Sequence, residues 1–137
     1  MSVRSFFDTN VLVYADDKSS PAKQRRAIAL VVEHRRARTG VLSLQVLQEY
    51  FVTVTRKLRL DAAIARRKVE LLAEFDVVAP GVPDVLAAID LHRLHGTNFW
   101  DALIVRSAQQ AGCKVLFTED LQAAREIDGL QIVNPFR

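Results

Sequence analysis

Short apolar runs closed by turn residues alternate along the chain with longer stretches whose apolar positions recur every three or four residues, so the pattern predicts alternating strands and helices. Val3 to Phe7 is apolar and β-favouring, and it runs into Asp8-Thr9-Asn10, three residues that suit a turn or a helix start. Ser20-Pro21 has the form of an N-cap and first helical residue. The helix it opens passes through Ile28, Val31 and Val32 to a basic end before Gly40. Val41 to Ser43 is a short strand, after which Leu47, Tyr50, Phe51, Val54 and Leu58 fall on one helical face. That period outweighs the local strand preference of Val52-Thr53-Val54-Thr55. Asp61 caps a helix reaching Phe75 by way of Ile64, Val69, Leu71 and Leu72, and Val77 to Ala79 forms a strand stopped by Pro80. Pro83-Asp84 opens a helix closed by Gly96, and a further helix spans Phe99 to Gln110 ahead of Gly112. Lys114 to Phe117 is a strand, a short helix follows Thr118-Glu119-Asp120, and Gln131 to Val133 is the last strand before Asn134-Pro135. Strands separated by helices imply right-handed crossovers and an α/β fold with a mostly parallel sheet.

Composition narrows the class. The 137 residues are 50% hydrophobic and 26% charged, with no repeat or Pro/Gly/Ser-rich linker to divide them, so a single domain over residues 1–137 is expected. One cysteine, Cys113, excludes an intramolecular disulfide and a cysteine metal cluster, and it suits a reducing cytoplasm. No segment has the apolar pattern of a signal peptide, and none approaches the ~20 apolar residues of a membrane span. The formal charge is only +3, but the basic residues come in clumps: Lys23/Arg25/Arg26, Arg35/Arg36/Arg38, Arg56/Lys57/Arg59 and Arg66/Arg67/Lys68. Singly these read as solvated helix faces; together they are compatible with a phosphate-binding surface.

In an open parallel sheet, ligands gather beyond the carboxyl ends of the strands. Asp8 and Asp120 stand at such ends, Glu49 stands among Val46, Phe51 and Val52, and Asp101 lies between Phe99-Trp100 and Ala102-Leu103-Ile104-Val105. A carboxylate in apolar company needs a compensating cation or becomes protonated, and no Lys or Arg in the adjoining segments is placed by sequence to serve. A divalent metal would serve. Oxygen-only donors favour Mg²⁺ or Mn²⁺ over Zn²⁺, and with such an ion the natural chemistry is phosphodiester hydrolysis. Thr9, Asn10, Ser43 and Thr118 are candidates to orient the carboxylates, with turn and cap roles as their alternatives. Asp8 and Asp101 also fit helix caps or first-turn positions. His92 and His95 read as a helix terminus, His34 as an exposed residue among arginines, and Phe99 and Trp100 as core or interface.

Four segments, Phe7-Asp8-Thr9-Asn10-Val11-Leu12-Val13-Tyr14, Leu42 to Glu49, Phe99 to Val105 and Leu116-Phe117-Thr118-Glu119-Asp120-Leu121, together resemble the successive motifs of PIN-domain ribonucleases. The ending Asp128-Gly129-Leu130-Gln131-Ile132-Val133-Asn134-Pro135-Phe136 is similar to the VapC toxin branch, and the resemblance runs through nearly the whole chain. It implies a three-layer α/β/α sandwich in which Asp8, Glu49, Asp101 and Asp120 surround one or two Mg²⁺ or Mn²⁺ ions, supported by the Thr118 hydroxyl. It also implies the toxin of a prokaryotic type II toxin–antitoxin pair, a cytoplasmic, commonly homodimeric endoribonuclease that cleaves RNA and is silenced by a VapB-type antitoxin. Ala123-Ala124 departs from the pattern, since many relatives carry a glycine there.

Two other classes are weighed against this one. A phosphoacceptor signalling domain would want paired acids after the first strand and a lysine after a late one, whereas Asp8 precedes Thr9-Asn10 and Thr118 precedes Glu119-Asp120. A catalytically inert PIN-like module that binds protein or RNA would have no need of the intact acids.

Overall fold

A computed structural model of the chain describes residues 3–121 and 125–137. Its first half runs β1 (Ser5–Phe7), α1 (Thr9–Tyr14), α2 (Pro21–Ala37), β2 (Gly40–Ser43), α3 (Leu44–Arg56) and α4 (Ala62–Leu72). The second half runs β3 (Asp76–Val78), α5 (Val82–His95), α6 (Phe99–Gln110), β4 (Val115–Phe117), β5 (Arg125–Ile127) and β6 (Leu130–Val133). The six strands form one sheet in the order β3-β2-β1-β4-β6-β5, parallel except for β5, and helices cover it in an α/β/α arrangement. The chain builds outward from β1 through β2 to β3, then returns to place β4 on the other side of β1. The topological switch point, where such sheets bind ligands, is therefore the gap beyond the carboxyl ends of β1 and β4.

The central strands read as continuous apolar runs because both of their faces are covered. Ser5, Phe6 and Phe7 are all buried, as is every residue of β2, and Leu116 and Ile132 extend the same core across β4 and β6. Helix amphipathicity supplies the cover: α3 buries Leu47, Tyr50 and Val54, as its period predicts, and Val46 with them, while Phe51, expected on the same face, is exposed. The β-branched stretch of α3 stays helical, and the Thr55 hydroxyl donates to the Phe51 carbonyl oxygen at 2.8 Å.

The structure departs from the sequence reading at three further places. No short helix follows Leu121 in the described residues: Gln122, Ala123 and Ala124 lie outside them, and residues 125–127 form β5, antiparallel to β6. Asp128 and Gly129 join these strands with φ of 49° and 86°, the left-handed pair that a tight two-residue hairpin turn requires. Second, α2 buries Ala27, Leu30 and His34, while Ile28 and Val32 are exposed. His34 is thus not exposed among its arginines. It falls on the stripe of Ala27 and Leu30, sits edge-on to Phe7 and Phe117 with ring centroids 5.4 and 5.6 Å away, and shares a 2.8 Å hydrogen bond with the Thr39 hydroxyl. Burial pushes its pKa down, so the neutral ring is the form that packs. Third, α4 ends at Leu72, and Phe75 in the following turn packs edge-on against Phe7 at 6.1 Å.

Gly40, at the start of β2, sits directly beneath that ring: a Cβ there would come within 2.5 Å of Phe75. Gly40→Ala is therefore expected to cost about 1–3 kcal/mol, the usual penalty of overpacking. Urea denaturation of Gly40→Ala alone and with Phe75→Leu checks this, and an unchanged midpoint in the single variant would show that the ring yields without cost.

Candidate active site

A cleft of about 600 Å³ opens at the switch point. Six carboxylate side chains line it: Asp8, Asp17, Glu49, Asp101, Glu119 and Asp120. Each arrives by a local rule. Asp8 ends β1 and caps α1, its Oδ1 accepting the Thr9 amide at 2.7 Å, so the cap role and the cleft position coincide in one residue. Glu49 projects from the middle of α3, and the Thr9 hydroxyl donates to its Oε1 at 2.8 Å. Asp101 lies in the first turn of α6, whose cap is Asn98. The Asn98 side chain accepts the Asp101 amide and donates to Asp101 Oδ2, both at 2.9 Å. Asp120 follows β4 and is exposed at the mouth.

The four hydroxyl and amide candidates divide by what they touch. Thr118, fully buried, donates from Oγ1 to Asp8 Oδ2 at 2.8 Å and accepts the Asp120 amide at 3.2 Å, so one hydroxyl links two of the acids. Asn10 Nδ2 reaches the Thr118 hydroxyl at 3.3 Å, and Asn10 Oδ1 accepts the Glu119 amide at 3.1 Å. Thr9 bridges Asp8 and Glu49 as above. Ser43 is placed differently: its hydroxyl caps α3 by accepting the Val46 amide at 3.3 Å, and it is absent from the cleft wall.

Proximity of like charge shows in the protonation equilibria. The Asp8 carboxyl is pushed up to about 6 overall: burial raises it most, hydrogen bonds from Thr118 and Thr9 partly offset that, and the charges of Asp101 and Glu49 add to the rise. Asp101 is raised first by burial, then by the Asp120 and Glu49 charges. Among the described residues no three Asp, Glu, His or Cys side chains close into a ready-made ion cage. The donor set nevertheless has the chemistry of a hard-cation site. It offers the carboxylate oxygens of Asp8, Glu49, Asp101 and Asp120, none of them ion-paired with a Lys or Arg among the described residues, plus Gln45 Oε1, a buried oxygen with no hydrogen-bond partner there.

Sequence pattern singled out neither Gln45, on the cleft wall, nor Asn98 beside Asp101, and it marked Lys57 only as part of the Arg56/Lys57/Arg59 clump. Gln45 donates to Glu49 Oε2 at 3.3 Å, one turn earlier on α3; Asn98 carries the ordinary signature of an N-cap; Lys57 is the one cation among the lining residues. The other basic clumps are largely spent on structure. Lys23 pairs with Glu119, Arg35 with Glu74, Arg66 and Arg67 with Glu70, and Lys68 with Asp16. His92 and His95 end α5, which Gly96 closes in the left-handed conformation; Phe99 packs on Ala88, Ala102 and Leu103; Trp100 is exposed.

A family profile described as the PIN domain matches residues 5–130. No curated protein sequence matches the chain. Among solved structures, one described as a toxin–antitoxin complex from Klebsiella pneumoniae is similar in fold, with a TM-score of 0.71 at 20% identity, covering 96% of this chain and 97% of that one. A second, VapC20 of Mycobacterium tuberculosis, described as a sarcin–ricin loop cleaving toxin, gives a TM-score of 0.61 at 18% identity, covering 82% and 86%.

The raised Asp8 pKa has a sign that can be measured. The folded state binds this proton more tightly than the unfolded chain, so the ionised carboxyl destabilises the metal-free fold above pH 6, and the penalty fades as pH falls from 6 toward 3.8. Asp8→Asn is expected to stabilise the metal-free protein by about 2–3 kcal/mol at pH 7.5, and by roughly half that at pH 5. Chemical denaturation at the two pH values checks this; a destabilised variant at pH 7.5 would mean the hydrogen bonds to the carboxylate outweigh its burial.

Proposed function

The chain belongs to the PIN-domain family, and from that premise we propose that it is a Mg²⁺- or Mn²⁺-dependent endoribonuclease, the toxin of a type II toxin–antitoxin pair of the VapC kind. The observation that carries this reading is the cleft at the β1/β4 switch point, which Asp8, Glu49, Asp101 and Asp120 all line, and where burial first and the charges of neighbouring acids second raise the Asp8 and Asp101 carboxyls above their ordinary range. Those four acids would hold the ion. When bound, it supplies Lewis-acid stabilisation of the charge that develops on a phosphodiester undergoing hydrolysis.

The chain's own residues do the rest. Thr118 and the Thr9 amide hold the two Asp8 oxygens, the Thr9 hydroxyl and Gln45 hold those of Glu49, and Asn98 orients Asp101, so three of the four carboxylates are aimed before any ligand arrives. Lys57 offers the wall's one ammonium to an RNA phosphate, a role that suits its exposed position at the end of α3.

The likeness to a toxin–antitoxin complex supports a VapB-type antitoxin as partner. Exposed Val82, Leu86 and Leu94 on α5, with Trp100 on α6, support a homodimer. Residues 1–137 act as one PIN domain in this reading, in a prokaryotic cytoplasm, and no helix among the described residues is long and apolar enough to cross a membrane.

Purified protein is expected to cleave RNA with Mg²⁺ or Mn²⁺ and to stop when the metal is chelated. Asp8→Asn and Asp101→Asn should each lower turnover by roughly a hundredfold or more while keeping the wild-type circular dichroism spectrum. Unchanged turnover in Asp101→Asn would remove that residue from the ion's shell, and RNA binding without cleavage by the wild type would favour an inert binding module.

A further inference from the structure

Two adjacent acids, Glu119 and Asp120, leave β4 and line the cleft, and nothing in their order says which of them serves a cation. Their surroundings separate them. Both oxygens of Glu119 are taken: Tyr14 Oη donates to Oε1 at 2.8 Å, and Lys23 Nζ donates to Oε2 at 2.5 Å. The same ammonium donates to Tyr14 Oη at 3.3 Å and stands 4.7 Å from the Tyr14 ring centroid and 5.7 Å from that of Phe136. Those two rings meet edge-on at 5.0 Å, so Lys23 occupies a corner made of two aromatic faces and one carboxylate. One turn further along α2, Arg26 Nε donates to the Pro135 carbonyl oxygen at 3.1 Å, which ties the helix to the segment that carries Phe136.

We propose that Lys23 is a positioning residue that, with Tyr14, engages the Glu119 carboxylate at the edge of the cleft, neutralises its charge, and so leaves Asp120 as the acid after β4 that is free to take a cation. The proposal rests on the reading of the cleft given above. Its physical content is a charge count. Among the described residues Asp8, Glu49, Asp101 and Asp120 have no ion-pair partner, whereas Glu119 has Lys23. Without the ammonium, Glu119 loses its ion-pair partner and keeps only the weaker influence of the Arg137 charge, so the wall becomes more negative beside Asp120, attracts a divalent ion more strongly and repels a phosphate more strongly. The clamp also sets geometry: with the Glu119 amide on Asn10 Oδ1 and the Asp120 amide on the Thr118 hydroxyl, the side-chain anchor at Glu119 is the third point that fixes this turn.

A charge cycle on the full chain tests this with Mn²⁺ alone, read by calorimetry on wild type, Lys23→Met, Glu119→Gln and the double variant. The glutamine keeps an acceptor for Tyr14 while removing the charge. Lys23→Met is expected to tighten Mn²⁺ binding roughly three- to tenfold, Glu119→Gln to weaken it by a similar factor because the ammonium is then unpaired, and the double variant to return to within about twofold of wild type. An unchanged affinity in Lys23→Met, or a double variant as weak as Glu119→Gln, overturns the proposal, the second result because it makes Glu119 itself a ligand. Amide hydrogen exchange in the metal-free protein reads the clamp separately, with roughly tenfold faster exchange at Glu119 and Asp120 expected in Lys23→Met. If the wild type takes up no Mn²⁺, the reading of the cleft fails, and the exchange rates alone decide the clamp: unchanged rates overturn it.

Discussion

Asp8 is a carboxyl buried at the seam between the two halves of the sheet, and the arrangement of everything around the cleft follows from the need to hold it there. Its amide donates to the Phe117 carbonyl oxygen at 2.9 Å, its Oδ2 accepts the Thr118 hydroxyl, and its Oδ1 caps α1. These bonds run between β1, β4 and α1, so they hold only if Phe7 lies opposite Phe117 in register. That register is imposed from below by a core that is apolar on both faces of the sheet, where a slip would misplace Phe6, Phe7 and Leu116 at once. The core thus supplies the stability that keeps a costly polar group in place, and the polar group in turn brings the two strand tails together.

The same economy governs charge. A wall rich in carboxylates is self-repelling, and among the described residues no Lys or Arg forms an ion pair with Asp8, Glu49, Asp101 or Asp120. Positive charge is abundant but committed elsewhere. Lys68 meets Asp16, whose other oxygen accepts the Tyr50 hydroxyl at 2.6 Å, so α4 is pinned to α1 and α3 through one carboxylate. Arg106 joins α6 to the first turn of α5 at Asp84, and Arg4 joins the lead-in to β1 with β3 at Asp76. Surface pairs of this kind contribute little stability each. Their larger effect is that several basic residues, among them Lys23, Arg35 and Lys68 of the clumps, become struts between segments, and Lys57 is the cation on the cleft wall.

The hairpin of β5 and β6 shows how a strong local signal is overlooked when its partner is short. Asp128-Gly129 is a favoured turn dipeptide, but Arg125-Glu126-Ile127 has too few apolar residues to mark a strand by period alone. His34 shows the reverse. A polar residue in a basic run reads as solvated, and only the stripe it shares with Ala27 and Leu30, together with the Phe7 and Phe117 rings waiting above it, makes burial of the neutral imidazole favourable.

Most of the strand and helix order, the parallel sheet, and the positions of Asp8, Glu49, Asp101 and Asp120 at strand ends, in a helix first turn or on a half-apolar helix face were legible in the sequence because each depends on short-range pattern: apolar runs, helical period and turn signals. The family was legible for the same reason, as four motifs in order. What the sequence could not determine were the pairings across distance. Thr9 with Glu49, Thr118 with Asp8, and Lys23 with Glu119 are separated by 40, 110 and 96 residues, and they meet only once the β1/β4 switch point has closed. Tertiary structure alone decided which acids lie close together and which cation pairs with which carboxylate. Coulomb and hydrogen-bond energies depend on separation in space, and separation along the chain does not encode it.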